Sequence, residues 1–530
     1  MSNKIKFNTQ KFFYIIIDIN NKKKKITQGQ DLEVVYKPEL KIYIKKKFIN
    51  EEILFIKKNK IYVRTLTANK IPIYSRIINS KLILSNCAHL LIARNENINL
   101  SSFVLFQQLR GIDFPQKNFF LDIKLLDSSS LYEIKKNKLV FKNNTFIINK
   151  KHYFVKSKDI LLRNCEKIFE KGNPIALLIS GGYDSRLNLA IAKYFSKKYG
   201  NKITCYHEYK NKSEMRIVKK LVFLSKLKLV VKSRSFFNKE KNLIYNKKFI
   251  LSNNGTYRQN LIRWHGYLDY ILDKNKNTII FGLGAEAHKG KYYKQIKNIY
   301  RDCEKNFGIS YLVIRMFAKY LKIKSFDIKS QKKFFSILFK RCKNYKNLYT
   351  KIDYLHYHTY VSNGYGQRCY YLIREFGMHF PFLEKNFLES IFSLNSKIKK
   401  DFKFVRDMIG CLDPQLNSVP FISGNIKSTK TLNFKNTVRN YIKSKIDLIR
   451  PYFYPFWKLR QISEHIKLTN KEKLIIKKFY NEKSQITKEL YKILINDGKT
   501  TPGIRMEVAL QLFLYFSTLE KEKNVNFILN

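Results

Sequence analysis

Residues 174–192 read PIALLISGGYDSRLNLAIA. The apolar run Ile175 to Ile179 stops at Ser180-Gly181-Gly182, and an apolar, helix-compatible stretch resumes at Leu187. The pattern predicts a strand, a tight glycine turn and a helix start in succession. The turn carries two hydroxyls (Ser180, Ser185), one carboxylate (Asp184) and two positions without side chains (Gly181, Gly182). Glycine lets a ligand come close to main-chain N–H groups. The helix behind the turn aims its unpaired N–H groups and the positive end of its dipole at the same point. Such a place binds an anion, most naturally a phosphate. It is not a Walker A loop, because GxxxxGKS/T is absent and Arg186 follows the serine where no lysine precedes it.

Moving outward, NKITCYHEY (201–209) reads as a second strand, and KSEMRIVKKLVFLSKLKLVVK (212–232) as a helix followed by a third. Ser213-Glu214 is a helix N-terminus signal, with Glu214 placed to meet the dipole. NTIIFGLGAEAHKGKYY (277–293) is an apolar strand that ends in Gly282-Leu283-Gly284-Ala285-Glu286. Strand–helix–strand alternation predicts a parallel sheet with crossover helices, and ligands then bind beyond the carboxyl ends of the strands. From Ile299 onward the pattern is mainly helical.

The SGG-x-DS turn after a strand resembles the PP-loop of ATP pyrophosphatases, which cleave ATP to AMP and pyrophosphate. Within them, ALLISGGYDSRL is most similar to the synthetase domain of the asparagine synthetase family. The stretch at 281–293 resembles that family's second signature, SGxGxDExxxGY, and Pro381-Phe382-Leu383-Glu384 stands where its PFLD is expected. The resemblance implies an α/β fold: a PP-loop (adenine nucleotide alpha hydrolase-like) parallel sheet with helical elaborations, preceded by a β-rich glutaminase-like domain. It implies ATP and Mg²⁺ as cofactors. Leu178, Ser180, Gly181, Gly182, Asp184 and Ser185, with Gly282, Leu283, Gly284 and Arg406, would bind the nucleotide. Glu286 falls where the family has the aspartate that shares magnesium with the PP-loop aspartate, so Asp184 and Glu286 are the implied metal ligands. Lys427, with Lys430 next, is the nearest counterpart of the family's catalytic lysine. Asp184, Glu286 and Lys427 are thus the implied catalytic set. The chain departs from the pattern at Phe281, which replaces a serine, and at Ala287, which replaces a glutamate. Arg368 matches a phosphate- or substrate-facing position. Arg258, Arg263 and His265, between the two signatures, are read mainly as helical residues packing on the sheet.

The N-terminal third alternates short apolar runs, among them FFYIIIDI, LEVVYK, LKIYIKK, KIYVRTL, KLILSN and KLVFKN, with Asn, Lys or Asp clusters. It reads as an all-β or α+β domain, with a helix over Asn99–Leu109. Its order of pieces resembles the family's glutaminase-like domain. There the nucleophile is an N-terminal cysteine with its own amine as base. Here Ser2 follows the initiating methionine, and Cys87 lies deep in the domain. The domain is read as lacking glutaminase activity.

Composition bounds the rest. The chain has 530 residues, 45% of them hydrophobic, enough for two or three domains with real cores. The expected division is 1–150 (β-rich, degenerate glutaminase-like), 151–430 (PP-loop ATP-binding) and 431–530 (a helical extension packed on the synthetase-like domain). The formal net charge is +63. Lys, Ile, Asn, Phe and Tyr are abundant together while Gly (19), Pro (10) and Trp (2) are scarce, and the positive charge is spread in short runs. That is read as compositional drift, so nucleic acid is not an expected partner. Seven cysteines without a CxxC pair argue against a zinc site or disulfide framework and favour a reducing cytoplasm. No apolar run reaches the ~18–20 residues that span a bilayer. The expected activity is an ATP-dependent, AMP-forming amide ligase that adenylates a small-molecule or peptide carboxylate and transfers it to an amine or ammonia. An RNA-modifying PP-loop enzyme and a catalytically degenerate nucleotide-binding relative stand as alternatives.

Overall fold

The computed structural model describes most of residues 60–100, 119–146, 154–233, 278–288, 377–420 and 470–529, three strands before them (14–18, 25–29, 54–57), and isolated positions in 101–105, 251–271 and 349–376. It is a mixed α/β structure of small sheets and helices.

The strands of the first third are β1 (Tyr14–Asp18), β2 (Lys25–Gly29), β3 (Leu54–Lys57), β4 (Lys60–Arg64), β5 (Tyr74–Ile78), β6 (Lys81–Ser85), β7 (Asn97–Leu100), β8 (Lys124–Leu125), β9 (Ser130–Lys135) and β10 (Lys138–Asn144). They form two antiparallel sheets, in the orders β2-β1-β6-β5-β8 and β10-β9-β4-β3. Period-two burial shows in β4, where Ile61 and Val63 are buried and Lys60 is exposed. The β9–β10 hairpin turns through Lys136 and Asn137, both with positive φ (44° and 57°), as a tight primed turn requires. LEVVYK and LKIYIKK lie outside the described residues. The helix expected over Asn99–Leu109 is corrected at its start: Asn97–Leu100 is a strand, with Ile98 and Leu100 buried in alternation.

Next come α1 (Phe154–Phe169), β11 (Ile175–Leu178), α2 (Tyr183–Tyr199), β12 (Ile203–Tyr209), α3 (Lys212–Ser225), β13 (Lys228–Ser233) and β14 (Thr278–Ile280). The four strands make a parallel sheet in the order β13-β12-β11-β14. All four residues of β11 are buried, as in a sheet covered on both faces. Gly200 ends α2 at φ +70°, a left-handed cap that glycine adopts without strain. The order of strands reverses between β11 and β14. Their carboxyl ends therefore flank a switch-point crevice. His379 extends this edge: its N–H donates to the Ile279 carbonyl (2.9 Å), and it bridges Ile280 in parallel.

Helices α4 (Lys385–Ser393), α5 (Lys403–Leu412) and α6 (Pro414–Ser418) close over α1, α2 and α3. Their residues Phe387, Leu388, Ile391, Phe404, Met408 and Leu416 join the same core as β11 and α2. The fully buried Arg186 ties them down, its guanidinium donating to the carbonyls of Leu416 (3.2 Å), Val419 and Pro420 (2.8 Å).

The last elements are α7 (Asn470–Phe479), α8 (Gln485–Ile495), α9 (Met506–Lys523) and β15 (Asn526–Leu529). They correct the packing expected of 431–530. Among the described residues, α8 and α9 share a core with Tyr74, Leu91, Ile98, Phe119, Phe120 and Leu125 of the first third, not with the parallel sheet. β15 pairs in parallel with β7. Lys523 donates to the carbonyls of His89 (2.8 Å) and Ile92. The physical reason lies in α9, whose Leu512, Phe513, Leu514, Tyr515 and Phe516 are all buried. A helix apolar on every side needs neighbours around it. No described helix is long and apolar enough to cross a membrane.

Candidate active site

The quoted stretch folds as read, with β11 ending at Leu178 and α2 starting at Tyr183. Between them the loop is closed by its own hydroxyls. Ser185 Oγ donates to the Ser180 carbonyl (2.9 Å), accepts from the Ser180 N–H (3.0 Å) and lies 3.0 Å from Ser180 Oγ. Ser180 Oγ accepts from the Gly182 N–H (3.3 Å). The Gly181 N–H donates to Glu214 Oε1 (3.3 Å), and Asn211 caps α3 by accepting from the Glu214 N–H (2.8 Å). The loop's N–H groups thus converge on oxygen acceptors, with Asp184 in the first turn of α2.

The two glycine loops meet. A Cβ placed on Gly282 would lie 3.0 Å from Asp184 Cβ, 3.4 Å from the Asp184 carbonyl carbon and 3.5 Å from Asn188 Nδ2. The backbone leaving β14 therefore lies close against the glycine turn after β11, where an added Cβ would be tighter than most such contacts. Asp184 keeps 27% of its side chain exposed, while its Oδ1 is buried. His288 Nε2, on the 3₁₀ turn Ala285–His288, is 3.7 Å from Asp184 Oδ1. Ala287 beside it is fully buried, so the position that carries a glutamate in the resembled family contributes to the core here.

The helical wall reaches the loop through Tyr183. Its ring stacks on Phe402 (4.7 Å between centroids, 10° between planes). Burial pushes the Tyr183 phenol above its ordinary pKa, opposed by the positive charges of Arg406 and Arg186. Arg406, half-buried on α5, has an Nε without a hydrogen-bond partner among the described residues. Burial lowers the Arg186 pKa to about 10, which leaves it charged near neutrality.

Of the residues singled out from sequence, Leu178, Ser180, Gly181, Gly182, Asp184, Ser185 and Gly282 lie together where β11, α2 and the end of β14 meet, and the charge of Arg406 acts on Tyr183. Leu283, Gly284, Lys427, Lys430, Phe281, Arg368, Arg258, Arg263 and His265 lie outside the described residues, as does the Glu286 side chain. His288 was not anticipated. Its one signal was a histidine two residues after Glu286. Asn188 and the loop contact of Glu214 were also missed. Asp184 supplies hard oxygen at a crevice edge and so suits Mg²⁺. Among the described residues, no three His, Cys, Asp or Glu side chains cluster to hold a metal by themselves. Cys87, Cys165, Cys205 and Cys369 are buried and Cys411 is exposed, all as free thiols. Burial pushes Cys205 up to about 12 and Cys165 still further, so neither offers a thiolate.

Comparison with protein-family models finds no match, and comparison with curated proteins finds none. The functional reading therefore rests on the crevice itself.

Proposed function

We propose that the chain is an ATP-dependent, AMP-forming amide ligase of the asparagine synthetase type, without glutaminase activity. One observation carries this reading. Gly282 lies against Asp184, so the two glycine-rich turns meet at the carboxyl ends of adjacent parallel strands, where the strand order reverses. The order β13-β12-β11-β14 and the SGG-x-DS turn support a PP-loop fold. The two antiparallel sheets of the first third support a glutaminase-like ancestry.

In this reading the N–H groups of Gly181 and Gly182 and the hydroxyls of Ser180 and Ser185 exchange their contacts with Glu214 and with one another for the phosphate oxygens of ATP, and hold the departing pyrophosphate. Asp184, with Glu286, would hold Mg²⁺, which when bound would supply neutralisation of phosphate charge and Lewis acidity. Arg406 offers a further cation on the wall, and Lys427 is assigned to steady the leaving charge. A substrate carboxylate attacks the α-phosphorus, and pyrophosphate leaves. An amine then attacks the acyl carbonyl of the adenylate, and AMP leaves. Catalysis would rest on positioning and charge stabilisation.

The test is ATP–pyrophosphate exchange across a panel of small and peptide carboxylates. Exchange with at least one class, abolished by Asp184→Ala, is expected. Failure with every class would sink the ligase reading. The buried Ala287 favours a second reading, a degenerate relative that binds nucleotide without turnover. Tight ATP binding with no AMP formed would select it. Glutamate release from glutamine would overturn the claim about the N-terminal domain.

A further inference from the structure

His288 is completely enclosed. Its ring meets Phe382 edge-on (5.1 Å, 75°) and Phe387 edge-on (6.3 Å, 69°), and tilts against Phe404 (5.8 Å, 35°). Such a cage suits a leucine or a phenylalanine. A polar ring there is costly unless it has a polar neighbour. Asp184 is one such neighbour, with Nε2 3.7 Å from the buried Oδ1. That separation is an ion-pair distance rather than a formed hydrogen bond. Side-chain contacts of this kind often tighten only when a ligand arrives.

The same short segment touches Asp184 twice. Backbone at Gly282 lies against its Cβ and main chain, and His288 lies against its inner oxygen. These contacts hold the carboxylate from one side, and 27% of the side chain stays exposed. Groups behind a metal ligand fix its orientation and raise its affinity for the ion.

We propose that His288 is a positioning residue, holding the Asp184 carboxylate in the orientation that receives a divalent cation. This rests on the reading of Asp184 as a cation ligand given above. His288 itself touches neither substrate nor the reacting atoms. It acts through Asp184, and the apolar cage of Phe382, Phe387 and Phe404 fixes its ring plane.

The experiment uses the full chain with Mn²⁺ as the probe, titrated by electron paramagnetic resonance in the presence of α,β-methylene-ATP. Wild type, Asp184→Ala, His288→Phe and His288→Gln are compared, with His288→Leu as a second apolar variant should the phenylalanine not fold. An apolar residue at 288 is expected to weaken Mn²⁺ binding about 10- to 100-fold. Thermal stability and metal-free nucleotide affinity should stay at the wild-type level. Glutamine, which keeps a donor, should recover much of the loss. Wild-type Mn²⁺ affinity in an apolar variant overturns the proposal, and so does equal weakening by Gln and by the apolar residue. A lowered melting temperature with unchanged cation affinity would mark His288 as purely structural and also overturn it. If wild type takes up no Mn²⁺, or Asp184→Ala binds as well as wild type, the reading of Asp184 as a cation ligand has failed, and this proposal falls with it. Loss in Asp184→Ala with retention in the apolar variants refutes His288 alone.

Discussion

Gly282→Ala is the sharpest perturbation available, because it adds one methyl group at the point where the two loops touch. The added Cβ would sit 3.0 Å from Asp184 Cβ and 3.4 Å from the Asp184 carbonyl carbon. Two carbons are comfortable at about 3.5–4.0 Å, so the pair must separate by a few tenths of an ångström. Asp184 cannot swing its Cβ aside, since it is fixed to the first turn of α2, whose following residues Leu187, Leu189, Ala190 and Ile191 are buried. Backbone has to move instead. Overpacking of this kind costs about 1–3 kcal/mol. We expect the lower half of that range, because Gly282 is only partly buried and the contact is relieved by a few tenths of an ångström. A functional loss should accompany the stability loss, because about 1 Å of misplacement at a reacting site costs about 100-fold and a shift of a few tenths of an ångström takes a part of that. Urea denaturation and Mn²⁺–nucleotide titration measure the two effects separately. Gly410→Ala is the control. Its Cβ would meet the movable amide of Asn417 at 3.2 Å, on the helical layer. If Gly282→Ala kept both wild-type stability and wild-type cation binding, the close approach of the loops, and the site built on it, would be refuted.

Three further outcomes are expected. Arg186→Met removes the donors that hold the carbonyls of Leu416, Val419 and Pro420 and should destabilise the chain by about 2–4 kcal/mol, read as a shifted urea midpoint; an unshifted midpoint would show that the α6 closure is dispensable. Burial raises Glu520 from 4.5 to about 7. The unfolded state ionises first, so stability should fall as pH rises from about 4.5 to about 7, by at most about 3 kcal/mol, and Glu520→Gln should flatten that part of the wild-type profile in paired denaturation curves. Truncation after residue 469 strips α8, α9 and β15 from Tyr74, Ile98, Phe120 and Leu125; the shortened chain should lose protection of β5–β8 in hydrogen exchange while β11 and α2 stay protected.

The unit around the quoted stretch was legible because its determinants are local. Ile175–Ile179 reads as a strand, the glycine turn follows it, and a helix-compatible stretch resumes at Leu187, as the structure has them. The strands at 203–209 and 228–233 followed for the same reason. Legibility failed where one stretch satisfied two periods. NINLSSFVLFQQL accepts a helix as readily as a strand, and the decision came from pairing with Asn526–Leu529, more than four hundred residues away. It failed again for α9, in a region read as a helical extension packed on the synthetase-like domain, whose Leu512–Phe516 are all buried against the first third instead. Arg186 is a third case. Nothing beside it says that it will cap carbonyls at 416–420.

These two kinds of information meet at Asp184, and the candidate function depends on the less legible one. The loop sequence places a carboxylate at a helix N-terminus, which is enough to attract an anion's counterion but not to aim the oxygens. The aim is set by Gly282 and His288, which reach the loop from about a hundred residues further along the chain. A relative could therefore keep SGG-x-DS intact and still lose cation binding through one substitution in the 282–288 turn. On the proposed function, Gly282 and His288 are therefore the positions to vary first, ahead of the motif that first drew attention to the site.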